Sequence, residues 1–145
     1  MKISTKGRYA LRFMIDLAEH QGEGAVTLKE VSDRQGISVK YLEQIVILLN
    51  HAGLIRSIRG NQGGYLLQRV PAEYTAGEVL RAVEGSLCLV ACLEREENLC
   101  NRYSTCKTVR FWKGLNDLIM EYVDAYTLED LARDEMAIEG GDYCI

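Results

Sequence analysis

The stretch GISVKYLEQIVILLNHAGLIRSIRGNQGGYLLQ, residues 36–68, joins a helical pattern directly to a hairpin pattern. Ser38 is a candidate N-cap, because its hydroxyl can accept a hydrogen bond from a free amide of the first helical turn. The apolar residues after it have the spacing of one buried helix face: Val39, Leu42, Ile45, Val46 and Leu49. Gly53 is placed to end this helix. Two short apolar runs then flank the glycine-rich segment NQGG (61–64), a pattern typical of a β-hairpin.

Two more helices are predicted ahead of this stretch. Residues 4–20 place four large apolar side chains on one helical stripe: Tyr9, Phe13, Met14 and Leu17. The segment TLKE (27–30) matches a capping box, in which each of the two end side chains binds a free amide at a helix start. That helix runs to about Gln35. Three helices followed by a hairpin form a winged helix-turn-helix, so the predicted fold class is mainly α with a small β-hairpin wing.

A long helix with one apolar face is predicted near the C-terminus. It follows a fourth helix, which begins at the capping pattern TAGE (75–78) and ends near Gly85. From about Lys107, apolar residues recur at intervals of three or four: Val109, Trp112, Leu115, Ile119, Tyr122 and Val123. The last pattern, TLEDLA (127–132), is a short helix capped by Thr127 and is too small to cover this face. The long helix is therefore predicted to pair with a second copy in a homodimer, and the alternative is that it packs along its own domain.

The charge is divided unevenly between the two halves of the chain, whose net charge is −4. Residues 1–70 carry ten Lys and Arg against six Asp and Glu, a balance of +4, and residues 71–145 carry seven against fifteen, a balance of −8. Only the first half is expected to bind a polyanion. The patterns predict three regions: a winged helix-turn-helix DNA-binding domain (1–70), a linker helix with a cysteine loop (71–106), and a dimerisation helix with a C-terminal tail (107–145).

Composition excludes several classes of protein. Hydrophobic residues make up 48% of the chain and there is one proline, which indicates a globular, helix-rich protein. The N-terminal residues lack the apolar core of a secretory signal, and no apolar run approaches the roughly 18 residues of a membrane span, so a cytoplasmic protein away from membranes is expected. There is no Ser/His/Asp set and no phosphate-binding glycine loop ahead of a helix, so the chain is not expected to be an enzyme.

The basic half is predicted to bind double-stranded DNA. In a helix-turn-helix, the second helix of the pair lies in the major groove, where Lys40 suits guanine or phosphate, Gln44 suits adenine and Glu43 suits cytosine. Arginines on a wing suit a narrow minor groove, and a basic first helix suits phosphates. Three glycines are expected to keep the wing tip narrow enough to approach a backbone closely: Gly60, Gly63 and Gly64. The predicted DNA contacts are Ser38, Lys40, Tyr41, Glu43, Gln44, Arg56, Arg59, Gly60, Lys2, Lys6, Arg8 and Arg12.

Four of the five cysteines fall within nineteen residues, CLVACLEREENLCNRYSTC (88–106), a segment without helical period that is predicted to be a loop. In a cytoplasmic protein, clustered thiols bind metal or serve redox chemistry more often than they form disulfides. Of the intervals C-x3-C, C-x7-C and C-x5-C, only the first suits a structural zinc site. Iron–sulfur clusters accept more varied spacings. Spacing alone leaves four options open: zinc, a cluster, redox chemistry, and buried thiols without a ligand role.

Five segments resemble one group of known regulators: MKISTKGRYAL (1–11), GISVKYLEQ (36–44), RSIRGNQGGYLL (56–67), TAGEVLRAVEG (75–85) and TLEDLA (127–132). They are similar to bacterial winged-helix transcription regulators of the IscR, NsrR and CymR type, and the cysteine pattern is most like that of the iron–sulfur regulator IscR. The resemblance covers most of the chain. It implies a homodimeric transcription regulator whose long helices pair in the dimer.

The resemblance also implies a cofactor and its ligands. The IscR and NsrR branches hold an iron–sulfur cluster through three cysteines just ahead of the long helix, and the CymR branch lacks them. Cys92, Cys100 and Cys106 match these three positions, although the first interval, of seven residues, exceeds the family's usual five. The implied cofactor is a cluster of the [2Fe-2S] type in preference to [4Fe-4S].

The fourth ligand departs from the family pattern. Val109 stands where IscR-like proteins have a histidine, and Arg8 stands where NsrR-like proteins have an acidic residue. Cys88 is the nearest substitute. The alternatives are a group from the partner chain or solvent, or one of three carboxylates: Glu94, Glu96 and Glu97. Outside this loop, Cys144 is expected to be a free thiol in the tail, and the two histidines, His20 and His51, are expected to be surface residues or hydrogen-bonded polar groups.

The function that the resemblance implies is a repressor that senses cluster status, controls genes of iron–sulfur cluster assembly and receives its cluster from assembly proteins. Two alternatives belong to the same group: an NsrR-type sensor of nitric oxide and a metal-free CymR-type regulator of cysteine metabolism. A small electron-transfer protein is the alternative from another class, and it would not need a recognition helix.

Overall fold

The computed structural model describes residues 2–95, 97 and 100–133. This part contains six α-helices and one two-stranded sheet: α1 (Thr5–Glu19), α2 (Leu28–Gln35), α3 (Val39–His51), β1 (Ile55–Ile58), β2 (Gly64–Leu67), α4 (Ala76–Glu84), α5 (Val109–Ala125) and α6 (Leu128–Arg133). The prediction of a mainly helical winged helix-turn-helix is confirmed. Every helix within the described residues is too short or too polar to span a lipid bilayer.

The helix starts follow the capping residues predicted from the sequence. Ser4 and Ser38 each accept a hydrogen bond from an amide three residues later. Thr27 and Glu30 form the full capping box of α2. At α4 only the threonine half of the predicted box is used for capping, because Thr75 accepts from the Glu78 amide while the Glu78 carboxylate pairs with Arg69.

The wing is an antiparallel hairpin in which Ile55 faces Leu67 and Ile58 faces Gly64. A further bridge joins Tyr65 to Val26, with N–O distances of 3.0 and 2.8 Å. Gly64 has φ +155°, and a Cβ at this position would lie 2.5 Å from the Val26 carbonyl oxygen. Glycine is therefore required here for the wing to lie against the segment ahead of α2.

The hydrophobic core is shared by the first four helices, the wing and α6. Its largest fully buried side chains include Phe13, Leu42, Tyr74 and Leu128. The predicted buried face of α3 is confirmed at four positions: Leu42, Ile45, Val46 and Leu49. The prediction was wrong for Val39, which is 38% exposed. Side chains in a helix point back toward its N-terminus and pack over the preceding turn. Val39 is the first residue of α3, so there is no preceding turn for its side chain to pack against.

A buried carboxylate joins α1 to α2. Asp16 is fully buried, and its oxygens accept hydrogen bonds from Arg34 at 3.0 and 2.7 Å and from Gln35 at 3.0 Å. Burial opposes ionisation, but the hydrogen bonds from Arg34 and Gln35 and the charge of Arg34 outweigh it, so the pKa of the Asp16 carboxyl lies below its ordinary value.

Candidate nucleic-acid interface and cysteine loop

The solvent face of α3 carries most of the side chains predicted to contact bases. Lys40, Glu43 and Gln44 are exposed, on the side opposite the buried residues of the helix. Ser38 is also exposed, and its hydroxyl accepts from the Tyr41 amide at 3.3 Å. The three polar side chains project from one helix, and no other part of the described structure covers them. This face can therefore present hydrogen-bond donors and acceptors to the edges of base pairs.

Two predicted DNA contacts are engaged within the protein. The Tyr41 ring is half-buried and meets Tyr9 edge to face, with ring centres 5.4 Å apart. Arg12 lies 5.5 Å from the Tyr9 ring centre and donates to the Gln35 side-chain oxygen at 3.1 Å and to the Gln35 carbonyl. In this arrangement both side chains connect α1 to the α2–α3 pair, so they position the recognition helix.

The wing presents its arginines to solvent. Arg56 and Arg59 are exposed, and Gly60 at the tip has φ +106°, a conformation that favours glycine. At Gly63 a Cβ would collide with the Ile58 carbonyl. Gly63 therefore allows the hairpin to close tightly, and the narrow tip is flanked by two cations.

The start of α1 carries the remaining predicted cations. Lys2 and Arg8 are exposed, whereas Lys6 is half-buried. Ser4, the N-cap of this helix, donates from its amide and from its hydroxyl to Glu84 Oε1, at 3.0 and 2.6 Å. The last residue of α4 therefore holds the first turn of the helix that carries these cations.

Helix α4 contacts both the DNA-binding part and α5. On its other side, Arg81 donates to both carboxylate oxygens of Asp124 in α5, at 2.8 and 2.6 Å. Gly85, directly after Glu84, has φ +80° and starts the segment that leads into the cysteine loop (88–106).

The predicted loop connects α4 to α5 and contains two short 3₁₀ turns, Ala91–Leu93 and Tyr103–Thr105. Cys92 is half-buried, Cys100 is exposed, and both line one cavity of about 470 Å³. Glu94, Arg95 and Glu97 line the same cavity. Two of the three thiols in the predicted ligand set therefore share one cavity, together with two carboxylates that were considered as alternative ligands.

Cys106, the third predicted ligand, lies just ahead of α5. Its Sγ is 3.3 Å from the Thr108 hydroxyl. Hydrogen bonds from the Thr108 hydroxyl and amide, and then from the Val109 amide, lower the pKa of the Cys106 thiol despite slight desolvation. This environment favours the thiolate, the form that binds metal.

The proposed fourth ligand has a different environment. Cys88 is half-buried, and its thiol donates to the Leu93 carbonyl at 3.5 Å. It is not among the residues that line the cavity. The candidate Glu96 lies outside the described residues, as does Cys144, which was expected to be a free thiol in the tail. Of the histidines, His51 is exposed and His20 lies 2.8 Å from the Asp16 carbonyl oxygen, so both agree with the roles expected from the sequence.

A single bound ion would need at least three ligand atoms close together. Within the described residues, only Asp16, Glu19 and His20 bring such atoms within 4.8 Å of one another. The Asp16 carboxylate already binds the Arg34 guanidinium, so an additional cation is disfavoured there. The cysteine sulfurs do not meet this criterion within the described part. Thiolates are ligands of zinc ions and of iron–sulfur clusters, so the two thiols and two carboxylates that line the cavity are a donor set that fits either group.

Helix α5 has two apolar sides. The side toward α4 carries half-buried residues that were predicted, including Val109, Trp112, Ile119 and Val123. The other side is exposed: Phe111 by 63%, Leu115 by 36%, Leu118 by 64% and Tyr122 by 64%. We call these four residues the exposed stripe. The single predicted face is therefore a wide apolar arc of which the helix's own domain covers only part.

Comparison with known proteins agrees with the fold and with the resemblance noted in the sequence. The family model described as "Rrf2: Iron-dependent Transcriptional regulator" matches residues 3–134. CymR of Bacillus subtilis (strain 168) is 45% identical over 132 residues, 91% of this chain and 90% of the relative. Its solved structure, described as that of the global cysteine regulator of B. subtilis, has a TM-score of 0.76, is 44% identical, and is matched over 91% of this chain and 96% of that one.

IscR regulators are less identical to this chain than CymR is, but they match more of its length. IscR of Pectobacterium carotovorum subsp. carotovorum (strain PC1) is 39% identical over 142 residues, 98% of this chain and 85% of the relative. The solved structure of T. potens IscR is 38% identical, with a TM-score of 0.74 over 99% of this chain and 94% of that one. The winged-helix fold is common to both kinds of regulator, so the fold alone does not distinguish between them.

Proposed function

This chain belongs to the Rrf2 family of transcriptional regulators, and from that premise we propose that it is a DNA-binding repressor controlled by an iron–sulfur cluster. Its relatives are transcriptional regulators, so the chain is not an enzyme. The proposed targets are promoters of iron–sulfur assembly genes, with assembly proteins as cluster donors and the cytoplasm as the place of action. The proposed cluster is [2Fe-2S].

One observation carries the cluster proposal: Cys92 and Cys100 line one cavity, and Cys106 lies just ahead of α5. Thiolates are the usual ligands of iron–sulfur clusters. When bound, the cluster would link Cys92 and Cys100 within the loop to Cys106 ahead of α5. Cys88, Glu94 and Glu97 are the described candidates for the remaining ligand, and the last two lie on the cavity wall.

The protein's own contacts provide a route from the loop to DNA. Glu84, the last residue of α4, precedes the loop and accepts hydrogen bonds from Ser4, the N-cap of α1. Arg81 connects α4 to Asp124 of α5. The orientation of α1 in turn sets the recognition helix through the contact between Tyr9 and Tyr41. Two loop conformations would alter DNA affinity only if they differ in these contacts, because an effector acts through its differential affinity for two states.

The exposed stripe of α5 supports a homodimer. Monomeric proteins rarely expose a continuous apolar patch of this kind, and a two-fold contact would bury the stripe against a second copy. A dimer also places two recognition helices on successive half-sites about one helical turn apart. The domain division proposed from the sequence, with residues 107–145 serving dimerisation, has the same basis.

The test is anaerobic purification of the full chain, followed by an absorption spectrum and by iron and sulfide assays. The protein is expected to be brown and to contain iron and sulfide in equal amounts, and the amount of each per chain, together with the spectrum, distinguishes [2Fe-2S] from [4Fe-4S]. Replacing Cys92, Cys100 and Cys106 together by alanine should remove the colour and the iron. Cys144→Ala is the control and should keep both, and Cys88→Ala tests the fourth ligand separately.

DNA affinity is then compared between the cluster-loaded protein and the triple alanine variant at one salt concentration, because phosphate contacts make affinity depend on salt. The proposal expects the two affinities for assembly-gene promoters to differ by at least tenfold, about 1.4 kcal/mol. A colourless, iron-free wild-type protein that binds these promoters at full strength would contradict cluster control while leaving DNA binding intact.

A metal-free regulator of cysteine metabolism is the alternative that the 45% identity to CymR favours, and it predicts different DNA targets. Promoters of cysteine-metabolism genes would then bind the iron-free protein, and the alanine variant would bind them equally well. A nitric-oxide sensor is distinguished by the cluster itself, whose absorption would be lost on exposure to nitric oxide in step with release of DNA.

A further inference from the structure

Ile47 is an exposed apolar residue on the recognition helix. It is 67% exposed, the most exposed of the large hydrophobic side chains in the described part of the chain. It lies three residues after Gln44 and seven after Lys40, so the three side chains share one side of α3. The opposite side carries the buried residues Leu42 and Leu49. Ile47 therefore belongs to the face predicted to contact base pairs.

Single exposed hydrophobic residues are common on protein surfaces, so exposure alone says little about Ile47. Its position is the informative feature. It borders a recess of about 110 Å³ between α3 and the wing, lined also by Val46, Asn50, Ser57 and Tyr65. The recess lies between the recognition helix α3 and the wing, the two elements that are predicted to contact DNA. The neighbours of Ile47 on the outer face are polar or charged, so the side chain is an apolar site within a polar contact surface.

The major groove presents one apolar group at the base edges, the C5 methyl of thymine. Ile47 has no polar side-chain atom, so it can distinguish bases only by contact with such a group. We propose that Ile47 recognises the methyl group of one thymine in each half-site. This inference rests on the proposed DNA-binding function and adds a specificity determinant to it.

The helix geometry also limits where this thymine lies. Seven residues of α-helix rise about 10 Å, and successive base pairs are about 3.4 Å apart. For a helix lying along the groove, the thymine is therefore about three base pairs from the pair that Lys40 contacts. Loss of one buried methyl group is expected to weaken binding about fourfold.

The experiment uses the full chain, purified anaerobically in one cofactor state, and a duplex selected from a random library by the wild-type protein. Each thymine of the duplex is replaced in turn by uracil, which removes only the methyl group. Dissociation constants are measured by fluorescence anisotropy at one salt concentration for the wild type, Ile47→Ala, Ile47→Val and Val70→Ala. Val70 is the matched control, since it is 52% exposed and lies in the linker after the wing.

One thymine per half-site should show a roughly fourfold uracil penalty in the wild type and in Val70→Ala. The penalty should vanish in Ile47→Ala and persist in Ile47→Val, which keeps a branched apolar surface. Alanine is a strong helix former and Ile47 is exposed, so the variant should remain folded. The inference is overturned if no uracil penalty depends on Ile47, or if Ile47→Ala weakens all duplexes equally or changes the oligomeric state. Failure of the selection to enrich any duplex would instead overturn DNA binding itself, together with this inference.

Discussion

At the scale of single residues, Asp16 is the charge on which the helix-turn-helix depends most directly. Its side chain is 1% exposed and is ion-paired with Arg34, which is 34% exposed. We predict that Asp16→Asn lowers the free energy of unfolding by about 2 kcal/mol, because the buried hydrogen bonds lose the negative charge that strengthens them. The loss is limited because Arg34 is partly exposed and can be rehydrated. Denaturant unfolding at pH 7 measures this change.

The matched control is Asp33→Asn, which removes an exposed ion pair with Lys29 at 2.8 Å. It should cost less than about 0.5 kcal/mol. The pH dependence has a definite sign, because the pKa of Asp16 is lowered in the folded protein. Its contribution is complete above the unfolded pKa of about 3.9 and is lost as the pH falls through the lower folded pKa. The free energies of unfolding of the wild type and of Asp16→Asn should therefore converge as the pH falls below about 4. A difference that persists unchanged in strong acid would refute this account.

At the scale of elements, the placement of the wing depends on one buried hydroxyl. Tyr74 is 0% exposed, donates to the Leu54 carbonyl at 2.7 Å, and accepts from the Gln68 and Arg69 amides at 2.8 and 2.9 Å. Tyr74→Phe should cost about 2 kcal/mol, since three backbone groups lose a hydrogen bond and only the longer bond from the Gln68 amide to the Leu54 carbonyl, at 3.4 Å, remains. Hydrogen exchange should quicken at the Gln68 and Arg69 amides. The Tyr65 amide, bonded to Val26, is the internal control, and unchanged protection at Gln68 and Arg69 would show that the hydroxyl does not hold the wing.

The elements also show how far local sequence patterns reach. Caps such as Thr27 with Glu30 were predictable, because both partners lie within one helical turn. The contacts between Asp16 and Arg34, and between Glu84 and Ser4, span 18 and 80 residues, and no periodicity reports them. For the candidate site, the loop and its thiols were predictable. The cavity shared by Cys92 and Cys100 was not, because it depends on how an aperiodic segment folds back on itself.

At the scale of the whole molecule, α5 is both an internal and an external surface. Its Asp124 binds Arg81 of α4, while the exposed stripe faces away from that contact. The helical repeat explains why one apolar pattern serves both purposes, since residues at intervals of three and four drift around the helix over 17 positions. A dimer built on the stripe would therefore connect to the DNA-binding part through α4, so the distance between the two recognition helices would depend on the α4–α5 contact.

Leu118 lies near the middle of the stripe and is 64% exposed, so a charge placed there tests the dimer without disturbing the core. We predict that Leu118→Glu weakens dimerisation at least about a hundredfold, because burying an unpaired carboxylate in an apolar contact costs more than about 2.7 kcal/mol. Sedimentation equilibrium without DNA measures the association. Ile47→Glu is the matched control, since Ile47 is 67% exposed on α3 and should leave the dimer unchanged. If Leu118→Glu remained as dimeric as the wild type, or if Ile47→Glu dissociated equally, the stripe would not be the dimer surface, and the link between α5 and half-site spacing would fail with it.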